Sequence, residues 1–128
     1  MALNQGQTVI FRCDASNTIG TGHVVRCLTL AHALQNHGVK CVFVCREAAG
    51  HLLGLIKEQG FKTHALDENI PPEEDWQHTA AFVKTLQTKP AWLVVDHYFL
   101  DKTWQTALRP YVEHIMVIDD LADRPHDC

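Results

Sequence analysis

An α/β fold built on a Rossmann-like parallel sheet is predicted by three features of the chain. Short apolar segments alternate with amphipathic ones along its whole length, the central apolar segments are continuous, and a glycine-bracketed turn joins the first apolar segment to the longest amphipathic one. Continuous apolar strands suit a sheet covered on both faces, and strand–helix alternation with short connections makes the strands parallel. About five strands in a three-layer arrangement are expected, in the order 3-2-1-4-5 that is usual for this class. With 128 residues, 46% of them hydrophobic, the chain suits a single domain spanning 1–128.

Thr8 to Cys13 is rich in β-branched and aromatic residues and reads as a buried first strand. Val24, Cys27, Leu28, Ala31 and Leu34 then recur at helical spacing, and Gly38 supplies a left-handed stop. Lys40 to Cys45 is the second strand, Gly50 to Gln59 a second helix with Leu52, Leu53 and Ile56 inward, and Phe61 to Leu66 the third strand. Asp67 to Asp75 is a proline-containing acidic stretch, read as a solvated connection whose charge complements the dipole of the next helix. That third helix carries Trp76, Ala80, Val83 and Leu86 on one face. Ala91 to Val95 is a fourth strand ending at Asp96. Asp101 caps a fourth helix that uses Trp104, Leu108 and Tyr111 and is limited by Pro110. His114 to Ile118 is the fifth strand, ending in Asp119 and Asp120.

A formal charge of −4 leaves no basic stripe for nucleic acid and no polybasic anchor for a membrane, so small-molecule chemistry is favoured. The residues before Thr8 have neither a basic flank nor a long apolar run, which indicates no signal peptide and no membrane span and points to the cytoplasm. Four of the five cysteines fall in predicted strands or the first helix, as small buried residues in a reducing compartment. Cys41 and Cys45 share a strand face without the spacing of a zinc knuckle or redox pair. The nine histidines form no His-x-x-x-His or His-Glu-x-x-His run and are expected mostly at the surface. Neither a metal nor a cofactor is predicted.

In this sheet order the first and fourth strands are neighbours, and ligands sit beyond their carboxyl ends. Strand one delivers Arg12, Asp14 and the turn Gly20-Thr21-Gly22-His23; strand four delivers Asp96-His97-Tyr98; strand five delivers Asp119, Asp120 and, further on, Arg124. Outward N–H groups at the helix start can receive an anion or a sugar hydroxyl. The turn matches neither the Gly-x-Gly-x-x-Gly nor the Walker A pattern. Spacing alone leaves open whether His23 is an exposed first-turn residue or a general base, for which an imidazole kept neutral by the helix start is suited. Asp96 either holds a histidine tautomer or caps a turn, and Asp14 is equally ambiguous. Tyr98 either orients a water or ligand or packs on the adjacent helix. Arg12, beside a strand, suits an ion pair with Asp14 or Asp119 better than a phosphate contact.

Four blocks, Phe-Arg-Cys-Asp-Ala-Ser…Ile-Gly-Thr-Gly-His-Val-Val-Arg-Cys-Leu-Thr-Leu-Ala (11–31), Val-Phe-Val-Cys-Arg (42–46), Leu-Val-Val-Asp-His-Tyr (93–98) and Val-Ile-Asp-Asp-Leu-Ala-Asp-Arg (117–124), occur in this order. Together they resemble the UDP-sugar hydrolases of the pseudaminic acid pathway, which act on UDP-2,4-diacetamido-2,4,6-trideoxy-β-L-altropyranose. The resemblance implies the N-terminal half of a GT-B-like two-domain enzyme, whose C-terminal UDP-binding domain has no counterpart in residues 1–128. It implies a metal-independent, inverting hydrolysis in which His23 activates water, with Tyr98 and Asp96 as its companions. Substrate contacts would come from Gly20, Thr21, Gly22, Arg12, Asp14, His97 and Asp119. A fragment of this kind would bind UDP poorly and turn over weakly by itself. Two other readings remain: a glycosyltransferase half-domain in which His23 deprotonates an acceptor hydroxyl, and a non-catalytic Rossmann-like binding module.

Overall fold

The computed structural model describes residues 6–119 and 124–128. Five strands form one parallel sheet, β1 (Thr8–Cys13), β2 (Lys40–Arg46), β3 (Lys62–Leu66), β4 (Trp92–Asp96) and β5 (His114–Val117), in the order β3-β2-β1-β4-β5. This is the predicted order. Helices α1 (Gly22–Gln35) and α2 (Leu53–Glu58) cover one face, and α3 (Asp75–Lys84) and α4 (Lys102–Leu108) the other. Among the described residues no helix is long and apolar enough to cross a membrane.

The period of two along each strand decides which layer every side chain joins. Val9, Phe11 and Cys13 of β1, with Cys41, Phe43 and Cys45 of β2 and Val94 of β4, pack with Val24, Cys27, Leu28 and Ala31 of α1. Ile10, Val42, Val44, Leu93 and Val95 point the other way, toward Ala80 and Val83 of α3 and Trp104 and Leu108 of α4. Continued past the apolar residues, the same parity sends Asp96 to the α1 layer, and Arg12, Asp14, Arg46 and His97 to the α3–α4 layer. The polar residues of the sheet edge are thereby sorted into two neighbouring clusters.

Four of the five cysteines, Cys13, Cys27, Cys41 and Cys45, are buried as expected, while Cys128 is exposed. Gly38 takes a φ of +78° after α1, and Asp101 caps α4 by accepting a hydrogen bond from the Thr103 N–H at 3.1 Å. A single 3₁₀ turn, Arg109–Tyr111, follows α4 at Pro110. Asp120, expected at the end of the fifth strand, lies outside the described residues.

Two expectations are corrected. The second helix starts at Leu53 and not at Gly50, because Gly50 belongs to a turn packed against the β1–α1 loop. Its φ is +87°, the Asn17 N–H donates to the Ala49 carbonyl at 2.8 Å, and a Cβ at Gly50 would stand 2.4 Å from Asn17 Oδ1 and 2.6 Å from Asn17 N. Gly50→Ala therefore combines left-handed strain with a backbone clash and is expected to destabilise the fold by about 1–3 kcal/mol, measurable by urea denaturation. The acidic stretch before α3 is not all solvated: Asp75 is 1% exposed. The histidines lie mostly at the surface as expected, His23 and His97 being the two that are buried.

Candidate active site

α1 begins at the end of the Ser16–Gly20 turn, where Gly20 has a φ of +80°. Thr21 is the N-cap residue but makes no side-chain capping bond, and the first turn has no acidic residue. Gly20, Thr21 and Gly22 are exposed, and a Cβ at either glycine would meet nothing within 4 Å, so the backbone is open to approach from outside.

His23 turns inward from this start and is 4% exposed. Its Nδ1 meets Asp96 Oδ1 at the end of β4, and the carboxylate fixes the proton on Nδ1. Nε2 is then the bare nitrogen. It is closed off from solvent and has no hydrogen-bond partner in the structure. A buried polar atom without a partner costs on the order of 1–3 kcal/mol, and such atoms are uncommon enough to mark a site where a ligand supplies the missing bond. Tyr98 stands edge-on to the His23 ring with centroids 4.2 Å apart.

Asp96 is itself fixed. Arg26 forks onto both oxygens, through Nε to Oδ2 and through Nη2 to Oδ1 at 2.6 Å, and the Cys27 thiol lies 3.8 Å from Oδ2. His23 and Arg26 are three residues apart on α1 and share one helical face, which lets a single carboxylate serve both. Arg26 is a residue the sequence reading missed; its i, i+3 spacing from His23 was the available signal.

On the other side of the sheet edge a buried charge network gathers. Arg12, fully buried, pairs through Nη1 with Asp14 at 2.7 Å and through Nη2 with Asp75 at 2.6 Å. Arg46 donates from Nη2 to Asp75 at 3.0 Å, and its backbone N–H donates to Asp14 at 2.8 Å. Trp104 Nε1 and Thr79 Oγ1 also donate to Asp75, at 2.9 and 3.2 Å. Burial by itself would lower the Arg12 pKa, but the facing Asp14 and Asp75 carboxylates outweigh it and hold it above its ordinary value. Burial likewise pushes both carboxyls up, yet the Arg12 charge prevails: Asp14 falls well below the usual carboxylate range and Asp75 to about 2.

His97 closes this network. Its Nε2–H donates to Asp14 Oδ2 at 2.7 Å while Nδ1 accepts from the Phe99 N–H at 3.1 Å, so it is a neutral ring with the opposite tautomer to His23. Burial holds its pKa below the ordinary histidine value despite the Asp14 bond. The two histidine rings lie roughly parallel with centroids 6.5 Å apart.

The linkage has a definite sign. His97 stays unprotonated in the fold where the unfolded chain would take a proton, so stability is complete above about pH 6.5 and declines below it. Asp14 and Asp75, depressed in the fold, add stability that is complete above about pH 4 and is lost as the pH falls toward about 2. A series of urea midpoints from pH 7.5 to 2 should show a shallow decline first and a steeper one below about pH 4.

The structure brings His23, Asp96 and Tyr98 together and sets Asp14 and His97 directly behind them. It does not bring Arg12 to a ligand. With its guanidinium enclosed, Arg12 serves to position Asp14, and its second partner is Asp75, not Asp119. Strand β4 separates β1 from β5, and Arg12 points toward α3. Asp119 instead meets His126 at 2.6 Å and Arg124 at 3.5 Å. Arg124 links it to the site by donating to the carbonyls of His97 and Leu100 in the turn carrying Tyr98.

Comparison with family models and with curated proteins finds no match to this chain.

Proposed function

We propose that this chain supplies the catalytic base of a UDP-sugar hydrolase. One observation carries the proposal: the His23–Asp96 pair, with Nδ1 tied to the carboxylate and Nε2 bare and unpartnered at the carboxyl edge of the sheet. The four sequence blocks that resemble the pseudaminic acid pathway hydrolases include both residues, and they name the substrate class, a UDP-linked 2,4-diacetamido-2,4,6-trideoxy sugar.

In this reaction a water oxygen attacks the anomeric carbon as the bond from that carbon to the diphosphate oxygen breaks, and UDP leaves with the electron pair. The water proton passes to His23 Nε2. The charge that appears on the imidazole faces Asp96, which Arg26 holds in place. Entry of water and sugar requires a shift of the side chains that cover Nε2, and the Tyr98 turn is the adjoining element. The exposed Gly20-Thr21-Gly22 backbone lies at the same helix start, where the dipole favours the departing anion. In a two-domain arrangement of the kind the resemblance implies, the uridine would be bound by the partner domain.

The same base deprotonates an acceptor hydroxyl in a transferase. Product analysis separates the two: a hydrolase containing this chain should release free sugar and UDP with no acceptor present. Asp96→Asn, which replaces the charge partner with a group of similar shape, should lower that rate on the order of 10²- to 10⁴-fold. Release of sugar only onto an added acceptor would establish the transferase.

A further inference from the structure

A cavity of about 430 Å³ opens beside His97, on the α3–α4 side of the sheet edge, within the size range of small-molecule sites. Its walls are Trp76, Trp104, Phe99, Leu100 and Ile19. Its floor is the network of Asp14, Asp75, Arg46 and His97, whose polar atoms already bond to one another. None of its aromatic residues was expected to meet a ligand, since Trp76 and Trp104 were read as core positions.

The charges define what fits. Arg12 and Arg46 balance Asp14 and Asp75, and His97 is neutral, so the floor carries no net charge. Of the remaining lining residues only Glu73 and Asp101 are ionised, and both are anionic. A phosphate meets two carboxylates there and no uncommitted cation among the lining residues. A neutral group with an apolar face meets three aromatic side chains, and its N–H or O–H donors meet carboxylate acceptors. Phe99, 71% exposed, stands at the rim with its ring edge-on to His97, centroids 5.7 Å apart, and most of its apolar surface open.

We infer that this cavity is a specificity subsite for the neutral acylamino-sugar part of a ligand, and that it excludes the anionic diphosphate. The inference rests on the nucleotide-sugar reading above for the identity of the sugar. Asp14 and His97 line the cavity, and the His97 ring stacks 6.5 Å from His23. His23 does not itself line the cavity, so a sugar with its acylamino groups among Trp76, Trp104 and Phe99 reaches toward it past the His97 ring, with its phosphates directed away from Glu73 and Asp101.

The test needs no turnover. The indole N–H signals of the chain are followed by ¹H–¹⁵N NMR during separate titrations with N-acetylglucosamine, glucose and UDP. Trp92, which packs against His114 on β4 and β5, serves as the internal control. The expected result is saturable movement of the Trp76 and Trp104 signals with N-acetylglucosamine, a weaker response to glucose, and none to UDP. Phe99→Ala, at an exposed position that folding does not depend on, should weaken the N-acetylglucosamine response about tenfold, as should Trp76→Ala. Movement of the same two signals by UDP, or their failure to move at saturating N-acetylglucosamine, would overturn the inference. Sugar binding without hydrolysis by a protein containing this chain would instead sink the hydrolase reading and leave the subsite standing.

Discussion

If the proposed hydrolase reading holds, His23→Ala is expected to lower kcat on the order of 10²- to 10⁴-fold while changing KM little. The size follows from what the side chain does. In the proposed reaction it accepts the proton of the attacking water, and its Nε2 has no hydrogen-bond partner in the structure, so its loss would remove an interaction formed in the transition state. The fold should tolerate the change: removing the ring frees one oxygen of Asp96, which Arg26 still holds. Steady-state kinetics with a parallel thermal melt checks both halves of the expectation. A comparable fall in kcat accompanied by unfolding would assign His23 to structure.

The second large effect concerns stability. Asp75→Asn should destabilise the domain by about 3–5 kcal/mol, the range for breaking a buried ion pair by removing one partner. Asp75 receives donors from Arg12, Arg46, Trp104 and Thr79. An amide in its place leaves the fully buried Arg12 guanidinium with Asp14 as its anionic partner. Since whole domains are stable by only about 5–15 kcal/mol, the variant should unfold at a much lower urea concentration, with part of the acid sensitivity below about pH 4 removed. An unchanged midpoint would show that the network contributes nothing net, as some buried ion pairs do.

The architecture was legible because it is written in local periodicities. Continuous apolar strands, helical repeats and the Gly38 and Asp101 punctuation each need only neighbouring residues to be read, and together they predicted the five-strand order seen. The meeting of His23 with Asp96 followed from topology, since β1 and β4 lie side by side. Asp75 was misread for the opposite reason. Its surroundings, Glu73 and Glu74, look solvent-facing, and what buries it are two arginines from strands 63 and 29 residues away. The latent signal was strand parity: Arg12 and Arg46 both extend the face that packs on α3, and two inward cations require a carboxylate between them. Gly50 was mistaken for a helix start because its partner, the Ser16–Asn17 backbone, is distant in sequence. The cavity was invisible for a related reason. Trp76 and Trp104 sit at core spacing on their helices, and only the folded arrangement shows that each also faces an opening.

The proposed base requires a bare Nε2 on His23. Long-range ¹H–¹⁵N NMR of the histidine rings at pH 8, where ordinary imidazoles are neutral, reads this directly. The expected spectrum has His23 protonated at Nδ1 with a bare Nε2, and His97 protonated at Nε2 with a bare Nδ1. A His23 ring carrying its proton on Nε2 would have no basic nitrogen at the place where water must be activated, and would contradict the proposed role of the dyad.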